Sequence, residues 1–186
     1  MRLFTALGIS PEIRNNLTTF LDEMSPLAPR AKWVRPENLH VTVKYLGETE
    51  AWKLGAVSQA LASIRSAQPV TLEFRGLGFF PNEKRPRVLW VGIEVSANLK
   101  VLAEQIDRSL LELGYPPESR AFTPHLTLAR LDPPGLPAPL GAAMARHAPQ
   151  HFGSLATAEL HLIESHLKPT GAEYTTVQSF HFVTEI

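Results

Sequence analysis

The chain predicts a mixed fold of strands and helices made by duplicating one unit, and three observations carry that expectation. The phrase His-x-Thr-x occurs twice, as HVTV at His40 to Val43 and as HLTL at His125 to Leu128, 85 positions apart. At the same offset, the strand-like RLFTALGIS opening at Arg2 falls on RVLWVGIEVS opening at Arg87. Each copy then holds an amphipathic helical stretch between strand and histidine. A pattern with two fixed letters recurs easily by chance, so the repeated surroundings matter more than the phrase. A period this long marks an internal duplication with pseudo-two-fold symmetry, as opposed to a solenoid of short repeats.

In the first copy, Ser10 and Pro11 supply an N-cap and a first-turn proline, and Ile13, Leu17, Phe20, Leu21 and Met24 recur on one helical face. LHVTVKYLG follows with strict alternation, placing His40, Thr42 and Lys44 on one strand face and Leu39, Val41, Val43 and Tyr45 on the other. VTLEFRGLGFF reads as a strand, the stretch from Pro81 to Pro86 as a turn, and RVLWVGIEV as the next strand. In the second copy Leu99, Leu102, Ile106, Leu110 and Leu113 form the helical face, with Gly114 placed to end it. In PHLTLARL, His125 and Thr127 share a face, and alternation alone turns Arg130 the other way; a bulge or strand end after Thr127 brings it back. The Pro-rich stretch Asp132 to Pro139 reads as the longest loop, ahead of a short helix around Leu140 to Arg146. AELHLIESHL, a turn at Pro169 to Gly171, and TTVQSFHFV close the chain as a pair of strands.

Composition excludes several classes. With 186 residues, 44% of them hydrophobic, and 18 basic against 18 acidic side chains, the chain has enough apolar material for a sizeable core. Apolar runs break well before the roughly 18 residues a membrane span requires, and the N-terminus opens on a strand pattern, so a cytoplasmic protein is expected. The absence of cysteine removes disulfides, thiolate nucleophiles and thiolate-bound zinc. Balanced charge argues against broad coating of nucleic acid, which requires many phosphates to be neutralised, and leaves room for a local basic cleft.

Two histidines and two threonines on strand faces suit a phosphodiester with an adjacent hydroxyl. Breaking such a bond needs one group to accept a proton from the nucleophile and another to give one to the leaving oxygen, and two imidazoles near neutrality can divide that work. The hydroxyls of Thr42 and Thr127, with the cations of Lys44 or Arg130, can hold the nonbridging oxygens.

These residues, in the contexts WVRPENLHVTVKYLGE and RAFTPHLTLAR and with the closing ESHLKPTGAEY, resemble the 2H phosphoesterases over essentially the whole chain. Within them the likeness is to the bacterial and archaeal RNA 2′,3′-cyclic phosphodiesterases once named 2′-5′ RNA ligases. The resemblance implies an α+β fold of two pseudo-two-fold related lobes, each an antiparallel sheet with outer helices, around an active-site groove. It implies one domain over residues 1–186, with motifs at 40–43 and 125–128. It also implies opening of RNA 2′,3′-cyclic phosphates to 2′-phosphates without metal or cofactor, and in some members the reverse joining of tRNA halves through a 2′-5′ bond. Carried over by position, His40 is the proton donor, His125 the proton acceptor, and Thr42, Thr127 and Arg130 the phosphate binders. The acid and base roles rest on this resemblance, since a reversed substrate would exchange them. Because the duplication supplies a two-fold arrangement within one chain, a monomer is expected.

The remaining candidates have bland readings beside functional ones. His147 and His151 have the spacing of a helical metal pair, but Pro149 breaks the helix between them and no third ligand follows, so no metal is expected. His161, His166 and His181 fall in the closing strands, where a surface or edge role is the default. Phe80, just before Pro81, is the candidate for stacking on a nucleobase. Lys84, Arg85 and Arg87 read as a solvated turn that can also guide an RNA backbone. Two other functions fit the same residues: a phosphodiesterase acting on 2′-5′ linked oligonucleotides or small cyclic phosphates, and a module that binds RNA or tRNA phosphate ends without catalysis. The titrating pair weighs against the module, which needs only Arg or Lys.

Overall fold

A computed structural model describes residues 1–117, 122–132, 135–169 and 171–184. Its strands are β1 (Arg2–Leu7), β2 (Lys32–Trp33), β3 (Val41–Glu48), β4 (Val70–Phe80), β5 (Val88–Val95), β6 (His125–Arg130), β7 (His151–Thr157), β8 (Glu159–Lys168) and β9 (Gly171–His181). The helices are α1 (Pro11–Met24), α2 (Leu54–Ala62), α3 (Asn98–Leu111) and α4 (Ala138–His147). They build two antiparallel sheets: sheet A in the order β3-β1-β8-β9, and sheet B in the order β2-β6-β5-β4-β7.

The helices form where the apolar spacing puts them. Ser10 caps α1 by accepting from the Ile13 backbone N–H at 3.2 Å, Pro11 fills the first turn, and Ile13, Leu17, Phe20, Leu21 and Met24 are buried. In α3 the buried face is Leu99, Leu102, Ile106 and Leu110, and Gly114 with φ of +89° takes the left-handed position after its last turn.

The two copies are interwoven. Helix α1, from the first copy, packs on β7 of sheet B, where Phe20 meets Phe152 edge-on at 5.3 Å and Asn16 donates to the Phe152 carbonyl at 2.9 Å. Helix α3, from the second copy, packs on β3 of sheet A beside α2. The short β2 crosses as well and pairs with β6. Most of the buried apolar side chains therefore form one continuous cluster spanning both sheets. Gly153 marks how closely α1 seats. It has φ of +133°, and a Cβ there would come within 2.7 Å of Ile13 Cγ1. Gly153→Ala is expected to lower stability by about 2 kcal/mol through overpacking and strain, and the melting temperature by roughly 4–8 °C. A thermal scan checks this, and an unchanged midpoint would contradict the close seating of α1.

The register of the two histidine strands is alike. Ala6 pairs with Thr42 and Trp90 with Thr127, while Thr5 pairs with Lys44 and Leu89 with Ala129. The histidine strands are thus related by 85 positions but the strands they pair with by 84, a one-residue slip from the alignment that sequence similarity suggests. The ladder skips Val43 in β3 and Leu128 in β6, and further along β3 it skips Leu46 as well. The skips at Val43 and Leu128 are β-bulges, and each reverses the facing of the residues that directly follow it.

Candidate active site

The bulges decide which side chains share a face with the histidines. Before them, His40 and Thr42 lie on one face of sheet A, and His125 and Thr127 on one face of sheet B. After the Leu128 bulge, Ala129 turns into the core, fully buried, and Arg130 comes out on the histidine face. After the Val43 bulge, Lys44 turns inward and Tyr45 comes out on the face of Thr42. The residue equivalent to Arg130 is therefore Tyr45, and the residue equivalent to Lys44 is Ala129.

This corrects the expected role of Lys44. Strict alternation placed it beside His40 as a phosphate ligand, but it is only 3% exposed, on the opposite face. Its Nζ lies 2.5 Å from Asp107 Oδ1 of α3 and 2.7 Å from the Pro116 carbonyl. A cation so placed is held by its own protein.

Both imidazoles are oriented in the same way. Nδ1 of His40 lies 2.6 Å from the Asn38 carbonyl, and Nδ1 of His125 lies 2.7 Å from the Thr123 carbonyl. A carbonyl only accepts, so in each ring Nδ1 carries the hydrogen and Nε2 is left for chemistry. Nε2 of His40 lies 2.9 Å from Thr42 Oγ1, linking the two motif residues directly. Asn38 is itself anchored to β9, donating to the Ala172 carbonyl at 2.7 Å.

Aromatic rings back each histidine. The His40 ring packs on Phe4 at 4.8 Å and on Tyr174 at 5.1 Å, and Phe4 also touches Tyr45 at 5.8 Å. On the other side Phe80 meets His125 edge-on at 5.0 Å and stacks on Trp90 at 5.1 Å. Trp90 lies flat over Gly78, where a Cβ would come within 2.2 Å of its ring, so this strand glycine makes room for the His125 support. The candidate stacking residue Phe80 thus belongs to the His125 side. Lys84, Arg85 and Arg87 are exposed in the turn that follows, where the Asn82 side chain accepts from the backbone N–H groups of Lys84 and Arg85.

The charges of the two lobes reach one another. Burial raises the Tyr174 phenol above its ordinary value, as does Tyr45 nearby, while Arg130 and Arg2 pull it down. Arg130, from the His125 strand, is therefore felt at the ring that packs on His40. Burial pulls the His40 imidazole below its ordinary value; the hydrogen bond to Asn38 opposes this and the charge of Arg14 reinforces it. In the free protein His40 is mostly neutral at pH 7.

His147 and His151 do not converge. His147 Nδ1 bonds Gln150 at 2.6 Å at the end of α4, and His151 Nε2 bonds Ser154 at 3.3 Å in β7. Among the described residues no three His, Asp or Glu side chains gather as a metal-ligand set, and no helix is long and apolar enough to cross a membrane. A cavity of about 480 Å³ lined by Leu27, Ala28, Leu131 and Leu136 lies away from both histidines. Tyr45, Tyr174 and Arg14 complete the site without having been singled out in the sequence. Tyr45 was readable only through its 85-residue offset from Arg130, because alternation assigned it to the core.

Two interwoven sheets, each presenting a carbonyl-oriented histidine and a threonine on one face, are the architecture of a phosphoesterase. The chain belongs to the LigT like phosphoesterase family, whose model matches twice, over residues 7–90 and 91–174. Those spans repeat the 84-residue offset of the opening strands. The chain is 30% identical over 181 residues to the RNA 2′,3′-cyclic phosphodiesterase of Methanothermobacter thermautotrophicus, covering 97% of this chain and 98% of that one. It is 32% identical over 184 residues to the protein of the same name from Aquifex aeolicus, covering 97% of each. The crystal structure of TT0787 of Thermus thermophilus superposes with a TM-score of 0.82 at 32% identity over the whole of both chains. That of Escherichia coli LigT complexed with 3′-AMP does so with a TM-score of 0.76 at 27% identity over 98% of each.

Proposed function

We propose that the protein hydrolyses RNA 2′,3′-cyclic phosphate ends to 2′-phosphates by two-histidine acid-base catalysis. The observation that carries this reading is the matched pair of imidazoles, each with Nδ1 held by a carbonyl and Nε2 left for proton transfer, beside a threonine on the same face. His125 Nε2 takes a proton from water as its oxygen attacks phosphorus. The bond from phosphorus to the 3′ oxygen breaks, and His40 Nε2 gives that oxygen a proton. The product carries a 2′-phosphate and a 3′-hydroxyl; exchange with solvent resets both rings. Thr42, Thr127 and Arg130 hold the nonbridging oxygens as charge accumulates on them. Because the leaving oxygen departs on the side of His40, the ribose and base lie over sheet A, where Tyr45 is 59% exposed and backed by Phe4. Tyr45 is then the platform for the reacting base. Phe80, beside His125, faces the incoming nucleophile, which in 2′-5′ joining is a 5′-hydroxyl in place of water. Both motifs come from one chain, so a monomer suffices. The relatives' names and the 3′-AMP held by the E. coli structure support RNA ends as substrate.

The acid role requires His40 to gain a proton in the complex, and the anionic phosphate supplies the charge that favours this. In the free protein the His40 ring is expected to titrate below 6.5, and above its free value once a 2′-mononucleotide is bound. NMR of the ring carbons checks this. The sign carries into kinetics: the protonated form is active, so kcat/KM falls as pH rises through the free-protein value, and the same limb in kcat lies at higher pH. A His40 midpoint that stays put on product binding would contradict its place next to the phosphate.

A further inference from the structure

We infer that His161 and Ser179 bind the RNA backbone on the 5′ side of the cyclic end, so that the strand leaves the catalytic pair across sheet A. The inference rests on the reading in which the reacting ribose lies on the His40 side. Paired residues on neighbouring strands share a face. Ala6 pairs with Thr42 on one side and with His161 on the other, and His161 pairs with Ser179. Thr42, Ala6, His161 and Ser179 thus form one row across all four strands, on the face that holds the histidine motif.

Three features direct the strand along this row. Strand β3 is an edge of sheet A, so a chain leaving Thr42 over the sheet runs only through β1 toward β8 and β9. The floor between is low, since Ala6 and then Gly8 are all that β1 presents there. The His161 ring reaches back over it: a Cβ on Gly8 would come within 3.2 Å of His161 Nε2, and Gly8 is one position beyond the Leu7–Val41 pair, level with His40. His161 Nδ1 is meanwhile held 2.8 Å from Ser179 Oγ.

The next row on the same face is apolar, running from Tyr45 through Phe4 to Ile163. One row therefore suits a base and the adjacent one, with an imidazole and a hydroxyl, suits a phosphate. His161 lies two strands from Thr42, about 10 Å. That is too far for the scissile phosphate and open to the phosphate that precedes it. A cyclic mononucleotide has no such phosphate, and this makes the site separable from catalysis.

The test compares a 2′,3′-cyclic mononucleotide with a short single-stranded RNA ending in the same cyclic nucleotide, using wild type, His161→Ala and Ser179→Ala. The expected result is a KM for the RNA raised roughly three- to tenfold in each variant, with kcat/KM for the mononucleotide unchanged. Variants with wild-type KM on the RNA, or with equal losses on both substrates, would overturn the inference. A wild-type protein inert on both substrates overturns the reading of the catalytic site instead.

Discussion

Replacing His125 with alanine is expected to lower kcat on a 2′,3′-cyclic nucleotide by about 10²–10⁴-fold, with His40→Asn falling in the same range. The double variant should lose little more than either alone, because one proton transfer is of no use without the other. Both rings are partly exposed and neither belongs to the buried core, so circular dichroism should be unaltered. Asparagine is the choice at position 40 because the ring there packs on Phe4 and Tyr174, and alanine would leave a void between them.

The two roles can be told apart by the leaving group. A p-nitrophenyl phosphodiester releases an oxygen that needs no proton. On it His40→Asn should recover most of the lost rate, while His125→Ala, lacking the base that activates water, should not. Recovery by His125→Ala instead would exchange the assignments, and full activity of either variant on the cyclic nucleotide would remove the two-histidine mechanism altogether. Thr42 adds a further expectation. Its hydroxyl lies next to His40 Nε2 in the unliganded site and must turn to phosphate in the complex, so Thr42→Val should weaken binding more than it slows the chemical step.

How much of this was legible in the sequence is clearest at the two histidine strands. The helices α1 and α3 follow from apolar spacing and from their end signals, because helical period and capping are local properties that one sequence displays directly. The duplication was legible for the same reason. The exchange of helices between sheets was not, since both sheets offer an apolar face and nothing local says which one a helix will cover. The bulges were the decisive hidden feature. HVTVKY alternates without a break, and a bulge at Val43 leaves no trace in that alternation, so strict period puts Lys44 and Tyr45 each on the wrong face. At Arg130 the conflict between strand period and the role implied by resemblance did point to a bulge, and one is present at Leu128. The same conflict, carried back by 85 positions, puts a bulge at Val43 and turns Lys44 inward.

The correction at Lys44 carries its own prediction, of a loss in stability instead of a loss in phosphate binding. The ammonium has been withdrawn from water, and it is matched by the Asp107 carboxylate and the Pro116 carbonyl. Lys44→Met keeps most of the packing but strands Asp107. Removing one partner of a buried pair typically costs 3–5 kcal/mol, and because the Asp107 side chain keeps 28% exposure and can regain water, about 2–3 kcal/mol is expected. The second substitution, Asp107→Leu in the Lys44→Met background, removes the stranded charge and should restore most of that loss. Urea unfolding of the wild type, Lys44→Met, Asp107→Leu and the double variant closes the cycle. The pair also ties β3 to the segment following α3, which Tyr115 and Lys53 fasten as well, through bonds of 3.1 Å to Thr49 Oγ1 and 3.2 Å to the Leu113 carbonyl. That segment leads to Thr123 and His125, so loosening it should lower kcat while KM stays near wild type. A phosphate ligand would behave in the opposite way, with KM rising and the unfolding midpoint unmoved. Such a result would return Lys44 to the histidine face and remove the bulge at Val43 as the feature that orders this site.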